Sequence, residues 1–205
     1  MALAALVLSS CIEGPIEGPP SLAGVFDVSQ VGYQQQEFFL SHEDATAYQK
    51  TGALTTDGRW SVQPDPATGG TTFVTRMVVH RPIDPADFNG TVVVEWMNVT
   101  AGVDLPNDWV YGHNEIVRSG AAWVGVSAQA VGVNALKSGD ATRYARLVHP
   151  GDSYSYDIFT RAGRAARNNP AVLDGLVPER LLAMGESQSA SRLVTYINAV
   201  HPLVG

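Results

Sequence analysis

The stretch Arg180-Leu181-Leu182-Ala183-Met184-Gly185-Glu186-Ser187-Gln188-Ser189-Ala190 (RLLAMGESQSA) decides the fold of this chain. Arg180 to Met184 reads as a short buried strand. A helix begins directly after Ser187, because Ala190, Leu193, Val194, Ile197 and Val200 recur at helical spacing over Gln188–Val200. A serine at such a sharp strand-to-helix turn has its hydroxyl lifted above the sheet, and the crowded backbone demands small residues two before and two after it. Gly185 and Ser189 meet that demand; the usual pattern has glycine at both places, so Ser189 is a departure. The new helix aims unpaired N–H groups at the turn, where they stabilise a developing negative charge. Ser187 is therefore the candidate nucleophile. The alternative is a polar turn with a helix-capping serine, and the strand before and helix after favour the nucleophile.

Upstream, the same alternation of strand and helix repeats. Thr91 to Trp96 (TVVVEW) and Ala121 to Ser127 (AAWVGVS) are near-continuous apolar runs, as expected for strands covered on both faces. Between them, Asp108 to Ser119 places Trp109, Val110, His113, Ile116 and Val117 on one helical face, and Gly120 stands at the helix stop. A further helix runs to about Asn168, capped by Asp152 or Ser153, with Ile158, Phe159, Ala162, Ala165 and Ala166 as its stripe. Earlier still, Val31 to Leu40 and Thr71 to His80 read as strands with no helix between them, so they pair antiparallel at one edge. Asp57 to Gly70 reads as a long loop, and Ala128 to Val133 as loop-like. Strands alternating with helices imply crossover connections: an α/β fold with a mostly parallel sheet and helices on both faces.

A serine nucleophile needs an oxyanion hole, a base and an acid that orients the base. The second N–H of the hole comes from the loop after Thr91–Trp96, where Met97 and Asn98 are the candidates. Ser127 is a rival serine after a strand, but no immediate helix follows it, so it is expected to line the cleft. In this architecture the chain order is serine, acid, histidine. After Ser187 there is no Asp or Glu, and the one later histidine, His201, is carried about 20 Å along the helix at 1.5 Å per residue. His149 lies in a loop that could border the cleft. His113 reads as a core residue, and His42 and His80 lie on the early strands.

Composition excludes other classes. The chain has 205 residues, the length of one domain, and its net charge of −7 with no basic run repels a nucleic-acid backbone. No apolar stretch reaches the roughly 18 residues of a membrane span. A single cysteine excludes a disulfide framework and a Cys-rich zinc site, and no two histidines have ligand spacing. Neither a dinucleotide fingerprint nor a phosphate-binding loop is present, so no metal and no cofactor are expected.

The succession VGYQQQEFFL, DGRW, FNGTVVVEWMNV, WVGVSAQAVGV, HPGDSYSYDIF and MGESQSASRLVTYINAVHPL resembles the N-terminal half of α/β-hydrolase-domain proteins whose nucleophile elbow reads GESQSA. The resemblance runs from about Val25 to the end. It implies the α/β-hydrolase fold, Ser187 in the nucleophile position and Gln188 donating to the oxyanion hole. It implies no particular substrate. The family continues with further strands that bring the acid and the histidine, so both are expected beyond Gly205 and this chain alone is expected to be inactive. The expected reaction is hydrolysis of a small-molecule carboxylic ester or related acyl bond; the alternatives are acyl transfer and an inactive hydrolase fold that binds a ligand.

At the other end, Met1 to Ser10 (MALAALVLSS) is small and apolar, and Cys11 follows ahead of the Gly/Pro-rich Glu13–Ser21. Leu8-Ser9-Ser10-Cys11 looks like a bacterial lipobox, although no Lys or Arg precedes it. The expectation is a leader and linker over residues 1–20, a hydrolase domain over 21–205, and a chain exported or lipid-anchored at Cys11 in the envelope, with a cytoplasmic protein as the alternative.

Overall fold

The computed structural model describes residues 10–205 apart from 23–25, 54, 57–59 and 68. The apolar leader before Ser10 lies outside the described residues, as do Asp57 to Arg59 of the DGRW block.

Among the described residues, eight strands form two sheets. The large sheet holds β1 (Cys11–Glu13), β2 (Tyr33–Ala45), β5 (Thr71–Pro82), β6 (Thr91–Trp96), β7 (Ala122–Val126) and β8 (Arg180–Met184) in the order β1-β2-β5-β7-β6-β8. β3 (Tyr48–Thr51) and β4 (Ser61–Pro64) make a small antiparallel pair, so the segment read as one long loop contains a strand. β2 and β5 pair antiparallel as expected, and β5 continues antiparallel onto β7. β7, β6 and β8 are parallel neighbours, so their carboxyl ends lie side by side.

Helices α1 (Asn107–Ser119), α2 (Ala130–Gly139), α3 (Ser155–Asn168), α4 (Gln188–Thr195) and α5 (His201–Val204) cover the sheet. Period-2 alternation decides which side chain meets which helix. Val92, Val94 and Trp96 of β6 and Val124 and Val126 of β7 face α3, where Ile158, Phe159 and Ala162 are buried. Val93 and Trp123 face the other way, against Trp109 and Ile116 of α1. Phe39 of β2 packs on Val133 and Leu136 of α2. Gly125 has no freedom to change: an added Cβ would stand 2.3 Å from the Trp123 ring.

Four local readings are corrected. Residues 11–20 were read as linker, yet Cys11–Glu13 form an edge strand in register with Phe39–Ser41, and Ile16 N–H donates to the Glu37 carbonyl at 2.8 Å. Backbone pairing with β2 holds this segment, and Arg143 and Arg146 bind it from the loop after α2. Ala128–Val133, read as loop-like, enters α2. Its N-terminus has no cap from its own segment; the Asp152 carboxylate accepts the Ala130 N–H from 22 residues away at 3.0 Å. Asp152 was expected to cap α3, but a short turn over Asp152–Tyr154 intervenes and its carboxylate serves α2 instead. β8 was read as buried, yet Leu182 is 50% exposed, since β8 stands at the sheet edge.

The helix after the elbow continues as expected but widens to a π turn over Tyr196–Val200 before α5. Pro202 has no N–H to offer the carbonyl four residues back, and the wider turn absorbs that missing bond.

Candidate active site

Ser187 lies between β8 and α4 with φ 53° and ψ −112°. It is one of three non-glycine residues with positive φ among the described residues, and the conformation is sterically costly for a residue with a Cβ. Ser187 is exposed, and its hydroxyl has no hydrogen-bond partner among the described residues. The turn is tight: a Cβ on Gly185 would stand 3.1 Å from the backbone of Ser189. Ser189, at the second small position, is fully buried. Its Oγ accepts the Glu186 N–H at 3.0 Å and donates to the Glu186 carbonyl at 2.9 Å. The departure from glycine thus adds two bonds that stitch the elbow to the first turn of α4.

The strand ends converge as expected from the parallel order. Met97 and Asn98 follow β6, Ser127 follows β7, and Ser187 follows β8. Asn98 is 2% exposed, and its Nδ2 donates to the Glu186 carbonyl at 2.9 Å while its Oδ1 accepts the Thr100 N–H at 2.8 Å. The loop after β6 is thereby fixed to the residue preceding Ser187.

The oxyanion-hole candidates fare differently. The Met97 N–H donates to the Val126 carbonyl at 3.3 Å and the Asn98 N–H to the Leu105 carbonyl at 3.0 Å. Both groups are committed to protein acceptors, because the β6 loop folds back as a bridge between Asn98 and Leu105. Val99 is the residue whose N–H turns to the elbow, meeting Gln188 Oε1 at 3.4 Å. The Gln188 N–H, at the start of α4, has no acceptor among the described residues.

Ser127 does not line a cleft. It is fully buried, and its Oγ donates to Asp104 Oδ2 at 2.5 Å and accepts from Arg76 Nε at 3.0 Å. Arg76 in turn bonds Asp104 at 3.0 Å, and Glu37 lies between Arg76 and Arg143. Two cations and two carboxylates neutralise one another there. Burial still pushes the Asp104 carboxyl above its ordinary range, against the pull of Arg76.

His149 is likewise engaged. Its Nδ1 accepts the Gly151 N–H at 3.1 Å, which leaves the proton on Nε2 to donate to the Ala128 carbonyl at 3.0 Å. Burial, the largest effect, lowers its pKa. It holds the loop before α3 in place and offers no free nitrogen to Ser187. His113 bonds its own helix, His80 packs between Trp109 and Trp123, and His201 stacks on Tyr196 beyond the π turn. No group of three or more potential ligands able to hold a metal occurs among the described residues.

Two polar residues at the site, Gln129 and Arg192, were not singled out from sequence, and Asp152 was singled out only as a candidate helix cap. Gln129 Oε1 accepts from Gln188 Nε2 at 2.9 Å and from Trp96 Nε1 at 3.1 Å. Gln129 Nε2 donates to Asp152 Oδ2 at 3.3 Å, and Arg192 donates to the same oxygen at 2.9 Å. A polar residue three places beyond the end of β7 was the signal for Gln129; Asp152 carried only its capping signal, and Arg192 none beyond its charge. On the other flank, Asn107 Nδ2 holds Glu186 Oε2 at 2.7 Å. Asp108 is raised by its own burial first and then by the Glu186 charge. The Glu95 carboxylate accepts the N–H groups of Asp108 and Trp109 and the Trp123 indole, and so caps α1.

A family model described as an alpha/beta hydrolase domain matches residues 9–205, and the chain belongs to that family. Two solved structures of a rice cell wall degrading esterase, LipA from Xanthomonas oryzae, one of them a point mutant, share 11% identity with it. Each aligns at a TM-score of 0.40 over 80% of this chain and 38% of the esterase chain. The chain therefore spans under two fifths of the length of those structures. No curated protein matches it.

Proposed function

We propose that this member of the alpha/beta hydrolase domain family is a serine hydrolase that cleaves a carboxylic ester or related acyl bond, with Ser187 as the nucleophile. The observation that carries the reading is the backbone of Ser187, held at φ 53° between strand and helix with its hydroxyl exposed. Strain of this kind persists only where surrounding contacts over-determine it, and Asn98 and Ser189 supply such contacts at Glu186.

In this reading Ser187 Oγ attacks the acyl carbon and its proton passes to a base. The developing oxyanion lies against the Gln188 N–H at the positive end of α4, with the Val99 N–H as the second donor in place of Met97 or Asn98. His149 is not the base in this reading, since both its nitrogens are bound to backbone. The base returns that proton to the departing alcohol as the ester bond breaks, and water then attacks the acyl-enzyme, releasing the carboxylic acid and restoring the Ser187 hydroxyl. Transfer to an alcohol or amine uses the same nucleophile.

The test is a fluorophosphonate probe on the full-length protein carrying this chain. Labelling that disappears in Ser187→Ala supports the enzyme. An unlabelled, folded protein supports the non-catalytic alternative, a hydrolase fold that binds its ligand without turnover.

We further propose export and lipid attachment at Cys11, which the LSSC motif supports and which is exposed at the start of β1. Labelled palmitate in the membrane fraction, lost in Cys11→Ser, is the expected result. An unlabelled cytoplasmic protein overturns it.

A further inference from the structure

The Gln188 carboxamide engages the Val99 N–H, the group that the proposed reaction assigns to the oxyanion. Its Oε1 accepts the Val99 N–H, and its Nε2 donates to Gln129 Oε1. The orientation of this chain of amides is settled by its two ends. The Val99 N–H and the Trp96 indole N–H can only donate, which puts the oxygen of Gln188 toward Val99 and the oxygen of Gln129 toward Trp96. At the far end the Asp152 carboxylate only accepts, which draws the Gln129 amide nitrogen. Asp152 is itself held by the Ala130 N–H and by Arg192, which lies one helical turn after Gln188 on the same helix. Gln129 is 2% exposed and Trp96 fully buried, so this end of the chain is a fixed post, whereas Gln188 is half-buried at the rim.

Val99 is 8% exposed, and a buried N–H without an acceptor is unfavourable. The Gln188 oxygen satisfies it. An arriving acyl oxygen would satisfy it equally and carries more negative charge as the bond to Ser187 forms.

We infer that Gln188 plugs the oxyanion hole of the resting protein, that Gln129 holds the plug in place, and that the acyl oxygen of the substrate displaces it. This rests on Ser187 being the nucleophile. Gln188 then has two separate roles: its backbone N–H binds the oxyanion, and its side chain competes with it. Gln129 is a positioning residue, acting through Gln188.

Because the side chain competes, its removal and its strengthening have opposite signs. Gln188→Met keeps the backbone N–H and the bulk but has no strong acceptor for Val99. Gln188→Glu puts a charged acceptor on the Val99 N–H. The experiment measures the rate of fluorophosphonate labelling at Ser187 in the full-length protein, with amide hydrogen exchange at Val99 measured in parallel. Gln188→Met is expected to label about three to ten times faster, the equivalent of one modest hydrogen bond. It is also expected to exchange faster at Val99. Gln188→Glu is expected to label several-fold more slowly and to exchange no faster than the parent. A side chain that merely supports the elbow predicts slower labelling for both variants, and that outcome overturns the inference, as does a Gln188→Met rate equal to the parent's. A parent protein that takes no label at Ser187 overturns the nucleophile reading, and the inference falls with it; a labelled parent with no response at Gln188 overturns the inference alone.

Discussion

The Asn98 side-chain amide donates to the carbonyl oxygen of Glu186 at 2.9 Å, so the loop after β6 grips the residue just before Ser187. The bond is partly buried, with Asn98 only 2% exposed. Asn98→Ala removes one donor from the Glu186 carbonyl, which keeps its bonds from Ser189, and frees the Thr100 N–H. The expected loss is about 1–3 kcal/mol of unfolding free energy by urea titration, with slower probe labelling at Ser187. Unchanged labelling at equal occupancy of the folded state would show that the grip does not set the elbow.

Ser187 itself is the second prediction. A residue with a Cβ at φ 53° and ψ −112° is strained by about 1–3 kcal/mol, and glycine at that position is not. Ser187→Gly and Ser187→Ala both lose the hydroxyl, but only glycine relieves the backbone. The glycine variant is expected to be more stable than the alanine variant by about 1 kcal/mol, after allowing for the greater freedom of glycine in the unfolded chain. Equal melting temperatures would remove the strain argument.

Two buried groups tilt stability with pH in opposite directions. Burial pushes His80 down from its ordinary 6.5 to about 3, so it is neutral in the fold and takes up a proton on unfolding below 6.5. Its contribution is present above about 6.5 and is lost as pH falls toward 3. Burial is also the largest influence on Glu95 and raises it from 4.5 to about 8, against its three N–H donors. Its contribution is present below about 4.5 and is lost as pH rises through about 8. Relative to the parent, Glu95→Gln is expected to gain stability steadily from pH 5 to pH 8 in urea titrations. His80→Gln is expected to lose less than the parent between pH 6.5 and pH 4. Curves that stay parallel to the parent's would contradict both assignments.

The fourth prediction concerns the ion network. Arg76 is fully buried between Asp104 and Glu37. Arg76→Met leaves Asp104 without its cation and is expected to cost about 3–5 kcal/mol by urea unfolding. Arg146 pairs with Glu13 at the surface, and Arg146→Met is expected to cost about 1 kcal/mol or less. Comparable losses for the two would show that burial does not separate them.

What was legible in the sequence divides along local and non-local lines. β6, β7 and the elbow stand out because apolar runs end in turn residues, and α1 because Gly120 closes it in the left-handed region at φ 76°. α2 was missed because its start, Ala128 to Val133, carries a glycine and no capping residue; Asp152 supplies the cap from outside. β1 was missed because a three-residue strand in a Gly/Pro segment has no pattern of its own and exists only through β2. At the site, residue type pointed to the loop after β6, but the backbone donors it singled out there are engaged elsewhere. Met97 and Asn98 spend their N–H groups on Val126 and Leu105, and only the fold back through Leu105 turns Val99 to the elbow. Ser127 followed a strand as an accessible serine would, yet Arg76 and Asp104, far away in the sequence, enclose it.

The contacts that shape the elbow reach back 88 and 89 residues along the chain, from Glu186 to Asn98 and from Gln188 to Val99. Contacts of such long range form slowly, because the loop they close must first be brought together. Ser189 stitches the turn locally, but the bonds from Asn98 and Val99 that tie it to the loop after β6 are absent in any state in which β8 is not docked. The turn at Ser187 thus takes its final form only when β8 has docked beside β6.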